Sequence, residues 1–301
     1  MADLKNAFAA FKPILRFDEP LSRHTSFRIG GPADAFARPR SVAELVALLR
    51  AARAAGLPVF VIGAGANILV ADRGVRGLVV SLDRLRSCAF AGEAVRTGAG
   101  LPVSALARLT ARAGLRGLER FYAMPGSVGG SVWMNARCYE TSFADRLAAV
   151  TVLDEALNVA VSNVRQADFD YKKSPFQGSG RVILEAEFVL ERADPRALKT
   201  VMREVERDRR AKGHFLAPSA GSVFKNNRLF GQPSGKILDG LGLRGRRVGG
   251  AQVSPLHANI ILNRRRATAE DVKRLVDLMR EEVRRAHGLE LEREIIYVGE
   301  E

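Results

Sequence analysis

Cysteine is nearly absent from this sequence. Only Cys88 and Cys138 occur, far apart and without the spacing of metal ligands. That argues against a cysteine metal site, so two buried or idle thiols and no metal are expected. Long apolar runs are missing too: the longest, such as "LPVFVIGAGANILV", are broken by glycine and too short to cross a bilayer, so no membrane insertion is expected. The opening stretch "MADLKNAFAAFKPILRF" mixes acidic, basic and apolar residues without a signal-peptide core, and the expected location is the cytoplasm. No G-x-x-x-x-G-K-[ST] occurs, which removes a Walker-type phosphate loop, and no G-x-S-x-G occurs, which weakens a serine-hydrolase reading. Internal repeats and low-complexity segments are lacking as well.

Acidic residues are outnumbered, with 33 Asp and Glu against 47 Lys and Arg, leaving a formal charge of +14. Such a balance suits nucleic acid and equally suits small substrates carrying phosphates. The arginines are spread along the chain, with no basic tail and no aromatic-basic interleaving of the kind that stacks on bases. An anionic small molecule is therefore the expected partner, ahead of nucleic acid. At 301 residues and 47% hydrophobic content, the chain has material for two or three globular domains.

The elements that are present carry their own punctuation. "SVAELVALLRAARAAGLP" opens with Ser41 and Glu44 as a capping box, has apolar residues at helical spacing and stops at Gly56. "VFVI", "ILVA" and "GLVVSL" then read as short buried strands, giving a βαββ opening. "LPVSALARLTARAG" is a second helix, and "AAVTVLD", "ALNVAVS" and "RVILEAEFVLE" are strands. A helix capped by Asp194 with Pro195 at its first position runs to about Gly213. A "HANIILN" strand, a helix from Thr268 with Asp271 three residues on and Gly288 at its end, and a last strand "REIIYVG" complete an α+β chain.

Two glycine-rich loops stand out. "GAGAN", Gly63 to Asn67, follows a strand but leads into another strand, which rules against a dinucleotide-binding helix. "MPGSVGG", Met124 to Gly130, packs three glycines, a proline and a serine. Backbone N–H groups unhindered by side chains can form an anion nest, and two such loops could grip a pyrophosphate from both sides; two tight turns are the alternative. Ser222, in "PSAGSVFKN", is on pattern alone a turn serine.

Seven segments in order resemble the UDP-N-acetylenolpyruvoylglucosamine reductase family: "HTSFRIGGPADAFARP", "VIGAGANILVAD", "AMPGSVGGSVWMNA", "YKKSPF", "PSAGSVFKN", "GGAQVSPLHANIILN" and "LEREIIYVG". The resemblance implies a two-subdomain FAD-binding fold of the vanillyl-alcohol-oxidase/PCMH type, followed by an α+β substrate-binding domain. The expected bounds are 1–80 and 81–205 for the FAD subdomains and 206–301 for the substrate domain, with the final strand a candidate to return to the FAD domain. The chain resembles the family's short type, which lacks an extra tyrosine-bearing substrate loop.

The implied chemistry is NADPH-dependent reduction, through noncovalent FAD, of UDP-N-acetylglucosamine enolpyruvate to UDP-N-acetylmuramate for peptidoglycan, by a cytoplasmic monomer. On that resemblance Gly63, Gly65, Asn67, Gly126, Ser127, Gly129 and Gly130 contact FAD. Ser222 is the proton donor, Glu294 polarises the developing enol or helps deliver the proton, and Lys172 stabilises the enolate. Tyr171, Lys212, Lys225, Asn226, His257 and Asn259 are implied substrate contacts. The sequence departs from the family at Lys172, where arginine is usual, at Arg137 and Glu140, where glycines are usual, and at Asn227, where proline is usual. Arginine grips a carboxylate bidentately, whereas lysine offers a point charge.

Two other readings stay open at this stage. One is a flavin oxidase of the same fold acting on an alcohol; such enzymes often tether flavin through His or Cys, which neither glycine loop contains. The other is a basic nucleotide- or RNA-binding protein on a degraded flavin fold, against which Ser222 and Glu294 in their motif contexts both weigh.

Overall fold

A computed structural model describes residues 6–300, so the first residues of the opening stretch read for a signal core lie outside them. The described residues form two compact units, 6–17, 35–64 and 77–206 in the first and 18–34, 65–76 and 207–300 in the second. The backbone changes unit within the strands Leu15–Pro20, Pro32–Ala37 and Val75–Ser81. No helix among the described residues is long and apolar enough to cross a membrane.

The first long helix of the first unit is Val42–Ala54. Ser41 caps it by accepting the Glu44 N–H at 3.1 Å, but the Glu44 carboxylate takes the Arg40 N–H at 2.6 Å rather than that of Ser41, so the expected box closes one residue early. Leu45, Leu48, Leu49 and Ala52 bury one face. The next strand, Val59–Ile62, pairs in parallel with Val75–Ser81, Val59 opposite Leu78. A five-stranded sheet forms from the strands at 88–91, 94–98, 147–153, 159–163 and 182–189, whose register sets Glu185 opposite Gly98 and Val150 opposite Ala186. Its inner face joins the core around Phe121, Phe143, Phe176 and Phe188, with Phe143 edge-on to both Phe121 and Phe188. Helix Val128–Trp133 packs against this sheet.

The second unit centres on the helix Ala269–His287. Thr268 and Asp271 form the expected capping box, and Gly288 ends the helix at φ +65°. Val272, Leu275, Val276, Met279 and Val283 bury its inner face against the small sheet of 247–248, 251–253 and 261–263. The expected "HANIILN" strand shrinks to Ile261–Asn263, because the Ile260 N–H folds back to the His257 carbonyl at 3.0 Å. The last strand, Ile296–Val298, lies parallel to Ile68–Val70, Tyr297 opposite Leu69.

Candidate active site

In the first unit the two glycine loops touch. A Cβ on Gly63 would fall 2.3 Å from the Ser127 hydroxyl oxygen, so any larger residue there would displace the Ser127 side chain. A cavity of about 280 Å³ opens beside them, lined in part by Gly63, Ala64, Ser104, Pro125, Gly126 and Ser127. Asp83 also borders it. Burial alone would raise the pKa of Asp83, but hydrogen bonds and charge from Arg38 hold it below the usual carboxylate range.

The second loop is less open than its sequence suggests. The N–H groups of Val128 and Gly129 donate to the Leu101 and Ala99 carbonyls at 2.9 and 2.8 Å, and that of Gly130 donates to the Ser127 hydroxyl at 3.4 Å. A Cβ on Gly129 would meet that of Ala99 at 2.7 Å, so Gly129 is a packing glycine. The N–H groups of Gly63, Ala64, Gly126 and Ser127 donate to no protein oxygen among the described residues. Free N–H groups along a rim of small residues are what a diphosphate requires, so these four residues fit the pyrophosphate of FAD.

The same unit carries the "YKKS" segment as a tight turn. The Asp170 N–H donates to the Lys173 carbonyl at 3.3 Å, and the Lys173 N–H donates to the Asp170 carbonyl at 3.0 Å. Lys172 sits at φ +58°, a left-handed conformation that costs an L-residue about 1–2 kcal/mol. Side chains from below the glycine loop hold it there. The buried Asn135 amide donates to the Asp170 carbonyl at 2.9 Å, and Gln177 donates to the Lys172 carbonyl at 3.1 Å and the Trp133 carbonyl at 3.0 Å. Ser174 also donates to the Trp133 carbonyl, at 2.6 Å. Helix Val128–Trp133 thereby couples the flavin-loop candidate to the turn carrying Tyr171 and Lys172.

In the second unit three motifs converge. The Ser26 N–H donates to the Gly65 carbonyl at 3.0 Å, and its hydroxyl donates to the Ser219 carbonyl at 2.9 Å, joining "HTSF", "GAGAN" and "PSAGSV". Gly65 has φ +59°, and a Cβ there would lie 2.3 Å from the His24 carbonyl oxygen. The Asn67 amide donates to the Glu294 carbonyl at 3.0 Å. Ser222 bridges Ile260, and the next carbonyl, that of Val223, accepts the Glu294 N–H at 2.7 Å. Ser222 and Glu294 thus lie on hydrogen-bonded neighbouring segments, both half-buried. The Ser222 hydroxyl has no protein partner among the described residues.

The expected substrate contacts divide by what their side chains already hold. Asn259, 3% exposed, accepts the Phe224 N–H at 2.9 Å and donates to the Phe224 carbonyl at 2.8 Å, so its amide clamps the Ser222 segment. Asn226 accepts the Ser234 N–H at 3.0 Å at the start of helix Ser234–Gly240. Lys225 pairs with Glu292 at 2.5 Å and Lys212 with Asp208 at 2.8 Å. His257 accepts the Asn259 N–H at 3.2 Å, and its ring centre lies 5.9 Å from that of His214. Burial pushes both imidazoles down, His214 to about 3 with help from the Arg209 charge.

Sequence reasoning missed Ser26, Asn135, Ser174 and Gln177. Each acts through a side-chain bond to a distant backbone group, and the only trace in the sequence is a short polar residue inside a motif.

Residues 33–157 match the FAD binding domain, and residues 213–298 match the UDP-N-acetylenolpyruvoylglucosamine reductase C-terminal domain. The UDP-N-acetylenolpyruvoylglucosamine reductase of Treponema pallidum is 40% identical over 95% of this chain and 94% of its own length. That of a Synechococcus strain is 41% identical, with 95% and 94% covered. The crystal structure of the reductase from Thermus caldophilus matches with a TM-score of 0.79 at 33% identity, over 94% of this chain and 98% of that one. The fold is accordingly the FAD-binding domain of PCMH type plus the reductase C-terminal domain, as the seven motifs implied. The chain belongs to the UDP-N-acetylenolpyruvoylglucosamine reductase family.

Proposed function

We propose that this chain reduces UDP-N-acetylglucosamine enolpyruvate to UDP-N-acetylmuramate, a step of peptidoglycan precursor synthesis, with FAD as cofactor and NADPH as co-substrate. Bound FAD supplies hydride, taken from NADPH, to the vinyl group of the substrate. Gly63, Gly126 and Ser127 would hold its pyrophosphate through backbone N–H groups, Gly129 and Gly130 shape that loop, and Gly65 and Asn67, in the loop before strand Ile68–Val70, are further FAD contacts. Hydride addition leaves carbanion character on the carbon beside the substrate carboxylate, and this charge needs a cation and a proton. Lys172 supplies the cation from its strained turn. Ser222 gives its hydroxyl proton to that carbon, and Glu294 polarises the enol or restores the proton.

The single observation carrying this reading is the Ser222 hydroxyl: half-buried, without a protein partner among the described residues, on a backbone fixed to Ile260 and beside Glu294. A serine is a weak acid in water, so it serves only when its place is fixed beside a strongly basic carbon. Lys225, Lys212, Tyr171 and His257 contact the sugar nucleotide, while Asn226 and Asn259 act by holding the segments that do.

We further read the enzyme as the family's short type and as a monomer, and as cytoplasmic because NADPH and nucleotide sugars are cytoplasmic metabolites. We keep 1–80 and 81–205 as the FAD subdomains and 206–301 as the substrate part; the last bound falls beside the division of the two compact units at Glu206 and Arg207. To test the function, the flavin of the purified protein is reduced with NADPH without oxygen and the enolpyruvyl sugar nucleotide is added. Prompt return of the oxidised absorbance is expected; a flavin that stays reduced overturns the assignment.

A further inference from the structure

A second cavity, of about 560 Å³, belongs wholly to the second unit and contains none of the residues assigned above to FAD or catalysis. Arg28, Arg264 and Arg266 line it. Ion pairs involve many arginines of this chain, yet these three guanidinium groups make no ion pair or hydrogen bond among the described residues. Asp72 is the acid at the rim, and its carboxylate accepts the N–H groups of Ala269 and Glu270 at 2.8 and 3.1 Å. It caps the long helix and leaves the arginines without a counter-ion.

The backbone gives an independent sign. Arg28 and Arg266 adopt φ +55° and +54°, the left-handed region that favours glycine. Strain of this kind persists where surrounding structure imposes it, and it collects at ligand sites. Here Asn263 imposes it. Its amide N–H donates to the Phe27 and Arg28 carbonyls at 3.1 and 3.4 Å, and its oxygen accepts the Ala267 N–H at 2.9 Å. One side chain thus locks both arginine loops around one cavity.

We propose that this cavity binds the diphosphate group of a small anionic metabolite, separately from the reductase site. Arginine forks match phosphoryl oxygens bidentately, and three forks exceed what one carboxylate can use. A concave volume in the range of small-ligand sites favours a compact molecule over an RNA strand, which needs an extended surface. The reading goes beyond the reductase assignment and stands or falls without it.

Calorimetric titration of the FAD-loaded protein with inorganic pyrophosphate and with ADP is the test. Binding of both with similar affinity points to the diphosphate alone, and tighter ADP points to a nucleoside diphosphate; either supports the site. Arg264→Ala and Arg266→Ala should each weaken binding by roughly tenfold while flavin reduction by NADPH stays unchanged. Arg266→Gly relieves the left-handed strain, so it should raise the melting temperature as it weakens binding. No binding of either probe at millimolar concentration, affinity for RNA alone, unchanged affinity in the alanine variants, or a lower melting temperature for Arg266→Gly overturns the proposal.

Discussion

Lys172 and Ser222 are held in opposite ways. Lys172 occupies a left-handed residue of a tight turn, kept there by Asn135 and Gln177 acting on backbone carbonyls. Ser222 lies on extended backbone paired to Ile260, with Asn259 clamping the segment two residues on. The turn stores strain and needs several side chains to resist it; the strand segment has little to resist and needs one clamp. On the proposed roles, a charge that only has to lie near a carboxylate tolerates the first arrangement, whereas a hydroxyl that must reach one carbon needs the second.

The largest effect should come from Ser222→Ala. Loss of a positioned acid lowers turnover by about 10²–10⁴-fold, measured as substrate-dependent NADPH oxidation, and an intact turnover would remove the strand segment from the comparison. Lys172→Ala comes next, at roughly 10²-fold, with Lys172→Arg retaining most activity. If alanine keeps full turnover, the strained turn has another purpose.

Asn259→Ala breaks the clamp itself. It leaves the N–H and carbonyl of Phe224 unpaired in a buried strand, which costs about 1–3 kcal/mol, read as a lower urea midpoint. Turnover should fall with it while NADPH binding holds.

Acid should separate the two regions further. His214 is pushed down to about 3, chiefly by burial, and His257, the acceptor for the Asn259 N–H, is also lowered by burial. Unfolded histidine titrates near 6.5, so between about 6.5 and 3 the unfolded chain binds more protons. Stability should therefore fall as pH drops through that window and be fully present above it. Melting curves of His214→Asn should show a shallower acid slope than the natural protein; an identical slope would mean another group sets it.

The smallest effect concerns the hairpin of Arg137–Cys138 and Thr141–Ser142. Tyr139 and Glu140 form its turn at φ +48° and +67°, and the family usually has glycine near here. Glu140→Gly should stabilise by up to about 1 kcal/mol, seen as a small rise in melting temperature with unchanged turnover.

Local chemistry was legible in the sequence. Ser41, Asp194, Thr268 with Asp271, and Gly288 mark helix ends because a cap is satisfied within four residues. Helix Val128–Trp133 was not, since two glycines disfavour a helix; Ser127 and the fit of Gly129 against Ala99 override that propensity. The strands Leu15–Pro20 and Pro32–Ala37 and the hairpin around Gly92 also went unread, because their residues do not alternate cleanly. At the site, motifs named the segments, but roles shifted with geometry. The resemblance implies substrate contacts at Asn259 and Asn226; that each also holds a distant backbone group, Phe224 and Ser234, is something only pairing far along the chain reveals.

The most direct test follows the two halves of the reaction separately in Ser222→Ala, by stopped-flow absorbance of the flavin without oxygen. Reduction by NADPH should proceed at the natural rate, and reoxidation by the enolpyruvyl sugar nucleotide should slow by orders of magnitude. Equal slowing of both halves, or none in the second, would contradict proton donation by Ser222.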